Sequence, residues 1–157
     1  MAVQRAEQHL RHWTRHRGAL LELVERLPAA AASFRPWDGA MTTAVLLAHV
    51  ARSVDRTIRA VERGSFQGPP PGGSVPPATI EEAGTLLRSL TEEDTALLGG
   101  LSDAQFDARL EFPPPRPALP AVAALAMALD HEIHHKGQLW VYARMCGVEP
   151  PSFVRRG

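Results

Sequence analysis

The stretch Gly64-Ser65-Phe66-Gln67-Gly68-Pro69-Pro70-Pro71-Gly72-Gly73-Ser74-Val75-Pro76-Pro77 decides the fold. Proline lacks a backbone donor and clashes with a preceding helical turn, so this segment can be neither helix nor central strand. It separates two strongly helical patterns. Upstream, Leu46, Leu47, Val50, Val54, Ile58 and Val61 recur at helical spacing, from Thr42 or Thr43 to Arg63. Threonine is the N-cap there and Gly64 the stop. Downstream, Thr79-Ile80-Glu81-Glu82 opens a helix to about Leu98, with a capping threonine and acidic first-turn residues. A linker of about 15 residues spans about 50 Å when extended, whereas a helix of about 22 residues is about 33 Å long. The chain can therefore return to the end it left, which places the two helices parallel.

Working outward, a first helix runs from about Val3 to Leu27. Its apolar positions Val3, Ala6, Leu10, Trp13, Leu20, Val24 and Leu27 skip one turn, at Arg17, and Pro28 follows. Ser33-Phe34-Arg35-Pro36-Trp37-Asp38-Gly39 is a turn-rich connection whose two aromatics are expected on the bundle end. Ser102-Asp103-Ala104-Gln105 caps a short helical turn near Phe106. The prolines of Pro113-Pro114-Pro115-Arg116-Pro117 precede the last long helix, from about Leu119 to Met145, which Gly147 and Pro150-Pro151 end. There is no internal repeat and no convincing strand alternation. The reading is all-α: a four-helix bundle in up-down-down-up order, with the Pro/Gly-rich crossover between helices two and three, forming one domain over residues 1–157.

Composition narrows the function. With 17 basic against 17 acidic side chains, no charge excess favours a nucleic-acid backbone. The lone Cys146 excludes an intrachain disulfide and fits a reducing cytoplasm. No secretory signal and no run of about 20 apolar residues is present, so neither export nor a membrane span is expected.

The last helix carries the chemistry. In Ala128-Leu129-Asp130-His131-Glu132-Ile133-His134-His135-Lys136-Gly137-Gln138, His131 and His135 stand one turn apart within an apolar, alanine-rich run. Residues four apart share a helix face, so both imidazoles can reach one metal ion. Ala124, Ala128, Gln138 and Tyr142 share that stripe, and its small residues leave room for a ligand. His49, on helix two, reads either as a third ligand or as a half-buried histidine bonded to a backbone carbonyl. His134 points about 60° off the stripe, with a role behind the ligands or at a dimer contact. Glu132 and Lys136 read as a solvated i,i+4 pair. His9, His12 and His16 read as a second site, as the entrance to the first, or as a solvated helix flank. Gln138 and Tyr142 read as ligand-orienting groups or as each other's partners, and Cys146 as a small buried hydrophobe.

Two fragments, Thr43-Ala44-Val45-Leu46-Leu47-Ala48-His49-Val50-Ala51 and His131-Glu132-Ile133-His134-His135-Lys136-Gly137-Gln138-Leu139, together with Arg144-Met145-Cys146-Gly147-Val148-Glu149-Pro150-Pro151, resemble the DinB family, including its YfiT-like branch. The resemblance runs in order along nearly the whole chain. It implies a four-helix bundle, a divalent metal held by His49, His131 and His135, and a homodimer. It also implies relatives that are S-transferases using bacillithiol or mycothiol, or isomerases using mycothiol. Lys136 stands where arginine is commoner, and Gly137 departs from the hercynine-oxygenase branch.

A three-histidine site with an open position suits zinc or nickel. The expected activity is transfer of a small-molecule thiol to an electrophilic partner; no catalytic base is assigned. Two alternatives accompany it. One is metal-dependent hydrolysis, because His131-Glu132-Ile133-His134-His135 satisfies His-Glu-x-x-His with Glu132 as base. The other is a non-catalytic, metal-stabilised dimeric stress-response module.

Overall fold

In a computed structural model of the chain, the described residues are 2–66, 75–112 and 115–155, the side chains of residues 2–4 excepted. Helix α1 (Ala2–Arg26) is followed by a 3-10 turn (Ala29–Ser33), α2 (Thr43–Arg63), α3 (Ile80–Gly100) and the short α4 (Asp103–Asp107). Strands β1 (Arg109–Leu110) and β2 (Leu119–Pro120) then pair antiparallel before α5 (Ala121–Met145).

The expected caps are in place. Thr42 Oγ1 accepts from the Val45 N–H, and Gly64 closes α2 at φ 83°. Thr79 and Glu82 form a reciprocal capping box on α3, as do Ser102 and Gln105 on α4.

Helix directions follow from two apolar clusters stacked along the bundle. The first joins Leu20 and Leu23 of α1, Leu46 and Leu47 of α2, Ile80 and Leu87 of α3, and Leu139 and Trp140 of α5. The second joins Trp13, Val54, Ile58, Leu98, Leu125 and Leu129. The first cluster thus takes the C-terminal halves of α1 and α5 and the N-terminal halves of α2 and α3, and the second takes the reverse. So α1 and α5 run one way and α2 and α3 the other, the up-down-down-up order expected. The crossover that makes this necessary lies, over residues 67–74, outside the described residues, as do residues 113 and 114 of the second proline stretch and the side chain of Val3.

Five details correct the sequence reading. A small strand pair exists, and α5 begins at Ala121 rather than Leu119, because a residue before proline avoids the helical region and Leu119 precedes Pro120. α1 stops at Arg26, while α3 continues to Gly100. Of the two turn aromatics, Phe34 packs edge-on against Tyr142 (ring centroids 5.6 Å apart), whereas Trp37 is 61% exposed. Among the described residues, no helix is long and apolar enough to cross a membrane.

Candidate metal centre

Because α2 and α5 pack antiparallel, the middle of α2 faces the middle of α5, which sets His49 opposite His131 and His135. His49 Nε2 lies 3.2 Å from His131 Nε2, and His131 Nε2 lies 3.0 Å from His135 Nε2. One ligand atom from each of the three can be chosen so that all lie within 4.8 Å of one another. Tetrahedral zinc bound through nitrogen at about 2.0–2.1 Å spaces its ligands about 3.3 Å apart, so the cluster is close to the right size.

Electrostatics support the same reading. Burial first, then the neighbouring His135, His49 and His134 rings, pushes His131 down to about 4. Burial and then His135 lower His49 as well. Both therefore stay neutral at pH 7, the protonation state a metal ligand requires. His135 Nδ1 lies 2.7 Å from Gln138 Oε1. With that nitrogen donating its proton to the amide oxygen, Nε2 presents its lone pair to the cluster. Three half-buried imidazoles bring their ring nitrogens to one point, an arrangement that a divalent ion can bridge. The residues fit a divalent ion.

The Glu132–Lys136 pair is not a solvated face. Both side chains are fully buried. Glu132 accepts from Arg17 Nε at 3.0 Å and Nη2 at 2.8 Å, and from Trp13 Nε1 at 2.9 Å. Arg17 also donates to Thr91 Oγ1 at 3.0 Å. Both Glu132 oxygens are engaged from the α1 side, so the base expected of a His-Glu-x-x-His hydrolase is turned away from the histidines. Lys136 Nζ reaches His16 Nδ1 at 2.8 Å and donates to the Phe153 carbonyl, fastening the C-terminal segment across α1 and α5.

The remaining candidates separate. His16 is buried against Lys136, so it is neither a solvated flank nor a ligand of the cluster. His9 and His12 line a different cavity, of about 340 Å³, with Arg5 and Phe106. His134 is exposed, its ring 4.8 Å from that of His135. Gln138 and Tyr142 do not pair with each other: the amide takes His135, and the Tyr142 hydroxyl donates to the Met41 carbonyl at 3.3 Å. Cys146 is half-buried, and burial pushes its thiol up, away from a reactive thiolate.

Sequence reading missed a buried acid pair between α2 and α3. Asp55 and Asp94 are both fully buried. Arg59 donates to Asp55 Oδ1 at 2.8 Å, while Asp55 Oδ2 and both Asp94 oxygens have no conventional donor. Burial, then the Asp55 charge, raises Asp94 to about 8, so at neutral pH Asp94 carries a proton next to Asp55.

Two cavities adjoin the histidines. One of about 590 Å³ is lined by His131, Ala124, Ala128 and Met127 of α5, Ser53, Arg56 and Thr57 of α2, and Phe66, Phe112 and Arg116. The other, of about 330 Å³, is lined by His49, Met41, Val45 and Arg52, and shares Ser53 and Arg56 with the first. No carboxylate is among the described residues lining either one. The small residues of the α5 stripe do leave the room their size implied.

An antiparallel-fed helical bundle whose second and last helices converge three imidazoles beside open cavities defines a class of candidate metalloprotein. The chain matches the DinB superfamily over residues 12–139 and belongs to it. It is 28% identical over 153 residues to the uncharacterized protein YjoA of Bacillus subtilis, covering 96% of this chain and 97% of that one. The crystal structure of YjoA superposes with a TM-score of 0.82 at 27% identity, over 95% of this chain and 99% of that chain. A DinB-like protein of Bacillus cereus gives 0.77 at 19% identity, over 93% and 95%. YfiT of Bacillus subtilis, reported as a probable metal-dependent hydrolase with an unusual four-helix bundle topology, gives 0.74 at 18% identity, over 95% and 91%.

Proposed function

We propose that this chain is a divalent-metal enzyme, with zinc or nickel held by His49, His131 and His135, that joins a low-molecular-weight thiol of the bacillithiol or mycothiol kind to a small electrophile. The observation that carries this reading is the convergence of three imidazoles on one point beside cavities whose described lining has no carboxylate. A divalent ion with an open position supplies Lewis acidity that lowers the pKa of a thiol or water completing its shell. A thiol, with an ordinary pKa of about 8.5, needs only a small shift to ionise at pH 7. Water needs a far larger one and gains from a positioned base, which Glu132 cannot be. The thiol proton passes to solvent, a carbon–sulfur bond forms, and the leaving group departs from the electrophile.

The chain's own part is to hold ligands neutral and oriented. Gln138 fixes the His135 ring, and burial keeps His49 and His131 deprotonated. Two adjoining cavities offer space for two organic partners, which a transferase needs and a hydrolase does not. Those cavities also count against a purely structural ion. Met127, Val141 and Met145 are exposed and fall along one side of α5, where we place the contact of a homodimer.

Metal-dependent hydrolysis is the second reading, favoured by the report on YfiT. An assay of the full chain loaded with zinc or nickel distinguishes the two. Thioether formation between a bacillithiol- or mycothiol-type thiol and monochlorobimane, abolished in His131→Ala, is the expected result. Ester hydrolysis lost in the same variant, with no thioether product, would replace the transferase reading with the hydrolytic one.

A further inference from the structure

The larger cavity has a make-up that metal binding leaves unused. Phe66 and Phe112 stack with centroids 4.3 Å apart and 29° between planes, forming a flat apolar wall. The Arg56 guanidinium carbon stands 6.0 Å from the Phe66 ring centroid, and Arg116 lines the same cavity from the segment before β2. By contrast, Arg59, one turn from Arg56 on α2, is paired with Asp55 and Glu93, and Arg17 of α1 with Glu132. Among the described residues, no carboxylate is within ion-pair distance of Arg56 or Arg116. Residues 67–74 and 113–114 contain no acidic side chain in sequence.

Surface arginines are ordinarily solvated and mean little singly. These two, though exposed, line one concave space together with an aromatic wall and His131. Uncompensated cations lining a cleft raise the local concentration of anions and bind them by charge-assisted hydrogen bonds. A volume of about 590 Å³ suits a small organic molecule.

We infer that the larger cavity takes an aryl carboxylate: Arg56 and Arg116 hold the carboxylate, Phe66 and Phe112 cover the ring, and the remaining end of the molecule faces His131. The assignment of the reacting end rests on the proposed function, but binding of the anion does not. Arg56 and Arg116 are therefore specificity-determining residues.

The test is titration of the full chain, as purified and again after chelator treatment, with 2-naphthoate and its neutral analogue 2-naphthamide. Naphthoate should bind on the order of ten-fold more tightly than the amide in both preparations, the worth of one charge-assisted bond. Arg56→Gln and Arg116→Gln should each reduce that preference and the double variant should remove it, with naphthamide affinity and thermal melting unchanged. Equal affinities for the two probes, or a preference that survives in the double variant, would overturn the inference. A preference that disappears on chelation would also overturn it, because the metal and not the arginines would then hold the carboxylate. Retained anion preference in a protein that binds no metal would instead sink the proposed function and leave this inference standing.

Discussion

Arg17 occupies the one turn of α1 where the apolar pattern lapses, and that lapse is functional in the structural sense. Its guanidinium grips Glu132 through two nitrogens, with both side chains fully out of water. Removing one partner strands a buried charge, at a cost of about 3–5 kcal/mol. Arg17→Met should therefore lower stability by that amount in urea unfolding, and adding Glu132→Leu should recover most of the loss. Recovery of nothing would mean that the pair is not the source of the effect. Asp94 gives the pH counterpart. Its folded-state value of about 8 exceeds the ordinary 3.8, so the folded chain holds a proton that the unfolded chain releases. Stability from this group is full below about pH 4 and falls as pH rises towards 8. Asp94→Asn, which keeps a donor towards Asp55, should raise the melting temperature more at pH 8 than at pH 5. An equal rise at both values would contradict the assignment. The His131/His135 pair was readable from spacing alone, but Glu132 and Lys136 were not, because their partners Arg17 and His16 lie more than a hundred residues away on α1. The skipped turn at Arg17 was the available signal that a charge there faced inward.

At the scale of elements, α2, α3 and the caps of Thr42, Thr79 and Ser102 follow directly from sequence, since capping and periodicity are local. The start of α5 had a local signal as well, Leu119 before Pro120, but the β1–β2 pair did not, because it is a contact across a proline-rich loop. The contact of α1 with α3 turns on Gly84. A Cβ there would stand 2.8 Å from Val24 Cγ1, a branched side chain packed in the first apolar cluster. Gly84→Ala should thus destabilise the bundle by about 1–3 kcal/mol by overpacking, despite alanine's better helix propensity. Denaturant melts that show a stabilised variant would mean that the two helices separate more easily than the packing implies.

For the molecule as a whole, the long crossover allows parallel α2 and α3, and α5, antiparallel to α2, sets its histidines opposite His49. Topology was thus legible from the crossover, whereas the spacing of residues left His49 open between a ligand and a half-buried histidine, and the three-histidine set came from the resemblance to the DinB family. The cavities, the buried Asp55–Asp94 pair and the gathering of Arg56 and Arg116 on one cavity could not be read from sequence, since each depends on side chains coming together across elements. The claim that His49, His131 and His135 share one ion is tested most directly by elemental analysis of the full chain, made without a histidine tag and loaded with zinc or nickel. About one ion per chain should remain after dialysis. His49→Ala, His131→Ala and His135→Ala should each fall close to background while retaining the helical circular dichroism spectrum. Background metal in the parent chain, or a full complement of ions in any of the three variants, would contradict the account.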